Sequence, residues 1–383
     1  MKACPYPIAV MSFNRPDYLT QVLHSLKNQT VSINEGQLYL FQDGVKSRFS
    51  EAPFDDTLHN ECVKKFQEVF PRGNVFPSPI NLGVALNFDR AERLFFDELK
   101  AECGIFFEDD LELSPYYMEA LLQLIGFALQ EPLVAYVAAY GEHETPLSMQ
   151  RDNSAKIVPM RHKWGFALTR RQWLAQREII QGYLSIIRER EYMKRDNDRI
   201  NNYFHSYGFG VSGTSQDGAK DLASLVLGTT KIMCKACFGK YIGKVGTHSN
   251  IKLYDDTGYG NTELFDLAPP RFDYPSPVQL QEWIRHQQAQ GRQIKDSQRA
   301  SLPKIKDFTI DTSAVEFVIS LYRKLLNREA DSGGLEHWVN YLRGGKSLAD
   351  LVGKMTESPE YKSKLKSILV AQETQNEIKP LRG

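Results

Sequence analysis

The sequence has no long apolar run, and no stretch approaches the roughly 18 residues that a membrane span needs. Its first residues also lack the apolar core of a secretory signal. We therefore expect a soluble protein without a transmembrane span. The expected location is the cytoplasm, including peripheral attachment at the inner face of the membrane.

Cysteine is scarce, with five residues scattered along 383. An odd, dispersed set does not form a disulfide framework, so we expect a reducing compartment. Cys234 and Cys237 have CxxC spacing, but no second pair completes a zinc site. The pair also falls in a strand-like stretch, Lys231 to Tyr241, which favours a structural role.

The chain has no charge excess, with 47 basic and 47 acidic residues, so no nucleic-acid partner is expected. Charged residues are locally dense between 187 and 203. This pattern is typical of a solvated helix face; an acceptor-facing or membrane-surface patch is the alternative.

The first 250 residues alternate short apolar runs with amphipathic segments. The runs predict strands near 7–13, 37–42, 75–76, 103–107, 133–139 and 163–168, and the segments predict helices between them. This order predicts an α/β fold with a mostly parallel sheet, which binds ligands beyond the carboxyl ends of its strands.

An acidic triplet, Glu108 to Asp110, follows one of these runs directly. Adjacent carboxylates repel one another, and a hard cation such as Mg²⁺ or Mn²⁺ carrying a diphosphate would relieve that repulsion. The alternative is an acidic turn before a helix N-terminus. Asp43 and Arg15 follow other predicted strands, so the same sheet edge should gather all of them.

The character of the sequence changes after the first domain, which we place at residues 1–254. Residues 255–311 have little apolar periodicity and predict an extended linker with one helix, 278–290. Residues 312–370 predict a small all-helical module, and 371–383 a mobile polar tail. A homo-oligomer interface is the plainest use for the helical module.

Two stretches of the chain resemble known families. Residues 5–250 resemble nucleotide-sugar-dependent glycosyltransferases of the GT-A type, especially the branch with bacterial family-2-like enzymes and N-acetylglucosaminyltransferase I. The matching segments are Ile8 to Pro16, Phe41 to Gly44, Asn81 to Gly83, Phe106 to Pro115, Trp164 to Phe166 and Gly246 to Ser249. Separately, Leu321 to Leu342 resembles a helical domain of unknown function of the DUF4214 type.

The glycosyltransferase resemblance implies a role for each matching residue at the donor site. Asp110 would bind Mn²⁺ or Mg²⁺, and His248 would reach the metal or a phosphate, or be structural. Glu108 and Asp109 would contact the donor sugar and ribose. Arg15 would hold the diphosphate, and Asp43 would bind the uracil base. Arg90 is a weaker candidate for contact with the donor. Arg15 could instead pair with Asp17, Asp43 could be a turn residue, and Arg90 could pair with Asp89 or Glu92.

The resemblance also implies an acceptor side. A carboxylate must take the proton of the attacking hydroxyl, and Asp217 fits best, with Asp221 in reserve. Gln216 departs from the family, in which an aromatic residue is usual, and Asp217 could merely stabilise a helix N-terminus. Trp164 and Gly165 would line the sugar site, although Trp164 could equally be a core residue.

These roles predict a metal-dependent, inverting glycosyltransferase. It would transfer GlcNAc or another hexose from a UDP-sugar to a hydroxyl of a glycan or glycoconjugate. One alternative is a nucleotidyltransferase, but the loop at Asn14 to Pro16 lacks the Gly-rich, basic character expected of one. The other is a non-catalytic surface-assembly or binding protein that works through the helical module.

Overall fold

The computed structural model describes residues 3–49, 56–246, 251–301 and 310–363. The chain divides into two compact units between Arg299 and Ala300. No helix among the described residues is long and apolar enough to cross a bilayer.

The first unit alternates strands and helices. Its strands are β1 (Ile8–Ser12), β2 (Leu38–Gln42), β3 (Asn74–Pro77), β4 (Cys103–Glu108), β5 (Leu111–Leu113), β6 (Val134–Ala138), β7 (Ile157–Pro159), β8 (Phe166–Thr169), β9 (Thr230–Cys234) and β10 (Gly239–Tyr241). Its helices are α1 (Pro16–Lys27), α2 (Asp56–Val69), α3 (Gly83–Arg93), α4 (Tyr117–Gln130), α5 (Leu147–Asp152), α6 (Arg170–Ile187), α7 (Asn197–Ser206), α8 (Gln216–Leu227), α9 (Ile251–Asp256) and α10 (Pro277–Ser301).

In the described residues, eight of these strands form one sheet in the order β3-β2-β1-β4-β8-β6-β9-β7. Strands β3, β2, β1 and β4 are parallel, as are β6 and β9. β8 is antiparallel to both β4 and β6, and β7 is antiparallel to β9. Because β1, β2 and β6 are buried along their whole length, they are apolar runs rather than alternating patterns. The predicted α/β class with a mostly parallel sheet is confirmed.

The stretch predicted as one strand, Lys231 to Tyr241, is two strands in two sheets. The chain leaves the main sheet after Cys234, and Gly239 to Tyr241 pairs antiparallel with β5. Both halves are largely buried and apolar, so periodicity alone does not locate the bend between them. The resulting β5–β10 ribbon carries Tyr241 to the edge where β4 ends.

All five cysteines are free and buried. Burial raises the pKa of Cys234 well above its ordinary value, and that of Cys237 to about 12. The Cys237 thiol donates to the Glu142 carbonyl at 3.1 Å. These thiols therefore serve as packing groups, because a reactive cysteine needs an accessible thiolate.

The first unit extends to Arg299, beyond the boundary expected at residue 254. Phe265, Phe272 and Leu280 are buried in its core, and α10 is longer than the helix predicted at 278–290. Side-chain amides also attach this region, for example Gln288 Nε2, which donates to the Leu225 carbonyl at 2.8 Å. Isolated apolar anchors and glutamine contacts give little periodicity, which explains why the stretch resembles a linker in sequence.

The second unit is all helical, with α11 (Ile310–Leu321), α12 (Ser332–Arg343) and α13 (Leu348–Glu357). A π-helical turn, Tyr322–Leu326, extends α11. Its small core includes buried Val318, Tyr322, Leu351 and Met355. The predicted helical C-terminal module is thus confirmed, while the tail at 371–383 lies outside the described residues.

Candidate active site

The acidic triplet lies at the carboxyl end of β4, in the middle of the main sheet. Glu108 is the last residue of β4 and lies opposite Met11 of β1. Asp109 and Asp110 form the turn between β4 and β5 and are only 4% and 3% exposed. The turn is therefore a buried acidic site, because a solvated acidic turn would leave these carboxylates in water.

Arg15, at the end of β1, reaches over this turn. Its Nε donates to Asp109 Oδ2 at 3.2 Å, and its Nη2 bonds Asp109 Oδ1. The same Nη2 lies 2.9 Å from Asp110 Oδ2. Pro16 begins α1 directly after Arg15, and this fixes where the chain turns away from the sheet. Arg15 thus pairs with the acidic triplet and not with Asp17.

Burial is the main influence on the charges of the triplet. It raises the pKa of Asp110 to about 6, against the lowering effect of Arg15. Burial, followed by the charges of Asp110 and Asp217, holds the pKa of Glu108 well above its usual range. Although burial lowers the pKa of Arg15, the two aspartates outweigh that effect and raise it. The single positive charge of Arg15 only partly balances the charges of the three carboxylates.

One atom of the turn fits a divalent cation. Asp110 Oδ1 is buried and has no hydrogen-bond partner among the described residues. A buried polar atom left unsatisfied is costly, and carboxylate oxygen is the donor that Mg²⁺ and Mn²⁺ accept. The described residues contain no group of three or more candidate ligands that could hold a metal alone. Asp110 therefore fits a cation that takes its remaining ligands from a diphosphate and water.

A loop after β10 covers the acidic turn. The Ile242 N–H donates to the Asp110 carbonyl at 2.8 Å, and a Cβ added at Gly243 would lie 2.7 Å from Asp110 Oδ2. A Cβ at Gly246 would lie 2.9 Å from Arg15 Nη1. The glycines therefore let the backbone approach the charged groups closely. His248, predicted to reach the metal or a phosphate, lies just beyond, outside the described residues.

Asp43 follows β2 at the same edge and is bound by its own chain. Its Oδ1 accepts from the N–H groups of Gly44 and Leu82, at 2.9 and 2.8 Å. Its Oδ2 accepts from the Gly83 N–H at 2.9 Å and from Asn81 Nδ2 at 3.3 Å. Burial raises the pKa of Asp43, against the lowering effect of these bonds. Asp43 thus holds the start of α3, and contact with a nucleotide base would require one of these bonds to exchange.

Arg90 of α3 lies beneath that loop. Its Nη2 donates to the Phe76 carbonyl at 2.8 Å, and its guanidinium lies 5.5 Å from the centroid of the Phe41 ring. Its Nη1 is buried without a partner among the described residues. The carboxylates proposed as alternative partners are used elsewhere, since Asp89 binds Arg93 and Glu92 pairs with Lys220.

Trp164 and Gly165 enter the site at the start of β8. The indole stacks on His162 at 4.3 Å and on Tyr241 at 4.5 Å, both at 9°. Two aromatic rings therefore already stack on the indole of Trp164.

Gly165 packs against the opposite side of the β4–β5 turn. Its φ is +55°, and an added Cβ would lie 2.7 Å from the Tyr117 hydroxyl. That hydroxyl donates to the Gly165 carbonyl. Only glycine suits this backbone conformation and space.

Asp217 lies in the first turn of α8, where Gln216 Nε2 donates to its Oδ1 at 2.7 Å. Its charge contributes to the raised pKa of Glu108, so the two carboxylates lie within electrostatic range of each other. Asp221 is instead bound by the ammonium groups of Lys163 and Lys231. Burial raises the pKa of Asp221, but the two lysines outweigh burial and lower it. A strongly paired carboxylate is a poor proton acceptor, so these contacts favour Asp217 over Asp221 as a base.

Sequence reasoning missed Lys163, which connects β8 to α8. It is almost fully buried, and its Nζ donates to the Asp217 carbonyl at 3.0 Å as well as to Asp221. The stack partners His162 and Tyr241 were missed too. A lysine directly before a Trp-Gly strand was the available signal, but its partners are 54 and 58 residues away.

His162 should make the stability of the first unit depend on pH. Burial lowers its pKa to about 4; Asp217 opposes this, while His143, Lys163 and Arg161 add to it. Between the unfolded value of about 6.5 and this folded value, the unfolded chain binds more protons. The free energy of unfolding should therefore fall by about 2 kcal/mol more in the parent than in His162→Gln as pH falls from about 7 to 4.5. Urea denaturation at the two pH values measures this, and parallel curves would contradict it.

A cavity of about 280 Å³ lies beside this stack, beyond β6 and β9. Its charged and aromatic lining includes Tyr140, Glu142, His143, Arg161, His162 and Lys235. Glu142 Oε2 lies 3.5 Å from Lys235 Nζ. Since His162 also stacks on Trp164, the cavity lies beside the aromatic stack at the start of β8.

A comparison with known protein families identifies the C-terminal module. A family model described as a domain of unknown function (DUF4214) matches residues 304–365. No curated protein matches the chain. The match confirms the resemblance inferred for the C-terminal module.

Solved structures also match the chain, among them S. aureus TarS and a mannosyltransferase. S. aureus TarS 1-349 shares 12% identity, with 91% of this chain and 93% of that chain covered and a TM-score of 0.37. A longer S. aureus TarS chain shares 10%, with 90% and 53% covered and a TM-score of 0.37. Mannosyltransferase PcManGT from Pyrobaculum calidifontis, in complex with GDP-Man and Mn²⁺, shares 11%, with 99% and 89% covered and a TM-score of 0.35. At these scores and identities the matches transfer no activity to this chain.

Proposed function

We propose that this protein is a metal-dependent, inverting glycosyltransferase that uses a UDP-sugar. The observation that carries the proposal is the buried acidic turn, in which Asp110 Oδ1 lacks a partner among the described residues and Arg15 lies alongside. The turn lies at the carboxyl ends of parallel strands, the usual ligand-binding edge of such a sheet. Asp217, whose charge acts on Glu108, would supply the base that a transfer to a hydroxyl requires.

The residues divide into a donor side and an acceptor side. Asp110 would hold Mn²⁺ or Mg²⁺, which neutralises charge developing on the leaving diphosphate. Glu108 and Asp109 would face the sugar and ribose, and Asp217 would accept the proton of the acceptor hydroxyl. The hydroxyl oxygen bonds the anomeric carbon as the bond to the diphosphate breaks, so configuration inverts in one displacement.

The proposed donors are UDP-sugars such as UDP-GlcNAc or another UDP-hexose, and the proposed acceptor is a glycan or glycoconjugate. The cavity lined by His162 is proposed for the acceptor side, because the charge of Asp217 acts on His162. The C-terminal module is proposed to form a homo-oligomer. Contact with the inner face of the membrane is proposed for reaching a membrane-associated acceptor.

Calorimetry with UDP and MnCl₂, followed by hydrolysis of a panel of nucleotide sugars, tests the proposal. We expect Mn²⁺-dependent UDP binding that weakens at least about 100-fold in Asp110→Asn, because the variant loses the charged ligand. Glu112→Gln, on the half-buried position of β5, is the matched control and should bind as the parent does. Absence of metal-dependent nucleotide binding in the parent would favour the non-catalytic reading.

A further inference from the structure

We infer that Arg15 is an internal counter-ion that competes with the divalent cation for Asp109 and Asp110. On this basis the metal binds weakly by itself. It binds cooperatively with the donor diphosphate, because Arg15 leaves the carboxylates and pairs with the diphosphate. The inference rests on the proposed metal role of Asp110. It concerns the part that Arg15 plays in the coupling of the two ligands, which the proposed function leaves open.

The contacts place the guanidinium where a bound cation would repel it. Arg15 Nη2 bonds Asp109 and lies 2.9 Å from Asp110 Oδ2. The other oxygen of Asp110 has no partner in the part of the chain that the structure describes. Asp109 and Asp110 are nearly inaccessible, so water screens this repulsion poorly. A metal on Asp110 therefore weakens the hold of the carboxylates on Arg15, and Arg15 weakens the hold of Asp110 on the metal.

The arrangement also gives Arg15 a second partner to move to. Its side chain is 27% exposed, unlike the buried carboxylates, and Nη1 faces the backbone at Gly246. A planar guanidinium binds phosphate in the same two-pronged geometry as carboxylate. A diphosphate arriving with the metal would therefore restore the charge balance that the metal alone disturbs.

Binding free energies are reciprocal, so this exchange makes a measurable coupling. UDP should raise the affinity for Mn²⁺ at least about tenfold, and Mn²⁺ should raise the affinity for UDP by the same factor. A static salt bridge that persists in the complex would instead give Arg15 only a supporting role, and its removal would weaken both ligands.

Calorimetry and Mn²⁺ electron paramagnetic resonance on the full chain distinguish these cases, with MnCl₂ alone as the first probe. Arg15→Gln should bind Mn²⁺ alone at least about tenfold more tightly than the parent, and its coupling to UDP should shrink severalfold. Arg15→Lys keeps the positive charge, so its affinity for Mn²⁺ alone should stay close to the parent value.

Equal or weaker binding of Mn²⁺ alone by Arg15→Gln would overturn the inference. If that variant does not fold, as judged by circular dichroism, Arg15→Met is titrated in its place with the same expected result. Additive binding of Mn²⁺ and UDP in the parent overturns the inference as well. The two proposals fail differently. A parent that binds UDP with Mn²⁺ but shows no competition by Arg15 refutes only the counter-ion role, whereas a parent that binds neither refutes the proposed function too.

Discussion

Asp217→Asn should lower the turnover of the UDP-sugar identified in the screen by about 10³-fold, within the usual contribution of a general base. An amide keeps the size of the side chain but accepts no proton. UDP–Mn²⁺ affinity should stay within about threefold of the parent, because a base acts on the attacking hydroxyl and not on the bound diphosphate. Steady-state turnover and calorimetry together measure the split.

Asp221→Asn is the matched comparison, since it lies one turn further along α8. Asp221 binds Lys163 and Lys231, so the variant leaves two largely buried ammonium groups without their carboxylate. Its main effect should be on stability. Near-normal turnover in Asp217→Asn, or a specific loss of turnover in a stable Asp221→Asn, would move the base role to Asp221.

Lys220→Met should destabilise the first unit by about 3–5 kcal/mol, because it leaves a buried carboxylate unpaired. Lys220 and Glu92 are 3% and 2% exposed, and Lys220 Nζ lies 2.8 Å from Glu92 Oε1. The ammonium also lies 4.4 Å from the centroid of Phe88 and 4.8 Å from that of Phe166. The pair joins α3, whose start Asp43 holds, to α8, which carries Asp217.

Urea denaturation followed by tryptophan fluorescence measures this loss, since three of the four tryptophans precede residue 300. The double variant Glu92→Leu/Lys220→Met should recover most of the stability, because apolar groups of similar volume replace the pair. Arg199→Met removes an exposed pair with Glu189 and should leave stability nearly unchanged, because water screens such a pair. A Lys220→Met loss no larger than that of Arg199→Met would show that the buried pair contributes little.

The fold was predictable where the local sequence pattern alone defines a strand or a helix. Buried strands such as β1 and β4 are continuous apolar runs, and the helix after β1 begins with a turn signal at Pro16. The direction of β8 was not predictable, because a short apolar strand has the same pattern whichever way it runs. The anchors at 255–299 were missed because single buried residues and glutamine contacts leave no period.

The site was predictable where its residues follow adjacent parallel strands, because the carboxyl ends of such strands meet at one edge of the sheet. Arg15 and the acidic triplet come together for that reason, and the burial of the triplet excludes a solvated acidic turn. The contacts of Asp43 with the start of α3 could not be anticipated, since the Asp-Gly pair fits a ligand contact and a turn equally well. The stacking of Trp164 on His162 and Tyr241 could not be anticipated either, because Tyr241 comes from a distant part of the chain. The roles of these residues in catalysis stay predictions.

The reversed strand β8 has a consequence for how this site can diversify. It brings Trp164 back to the edge where β4 ends, so residues that precede and residues that follow α4 in the chain meet at one site. The Tyr117 hydroxyl at the start of α4 donates one of the hydrogen bonds between the two parts. Recombination between relatives within α4 would therefore join an acidic turn to a covering loop from another protein, so the two parts of the site are expected to diversify together.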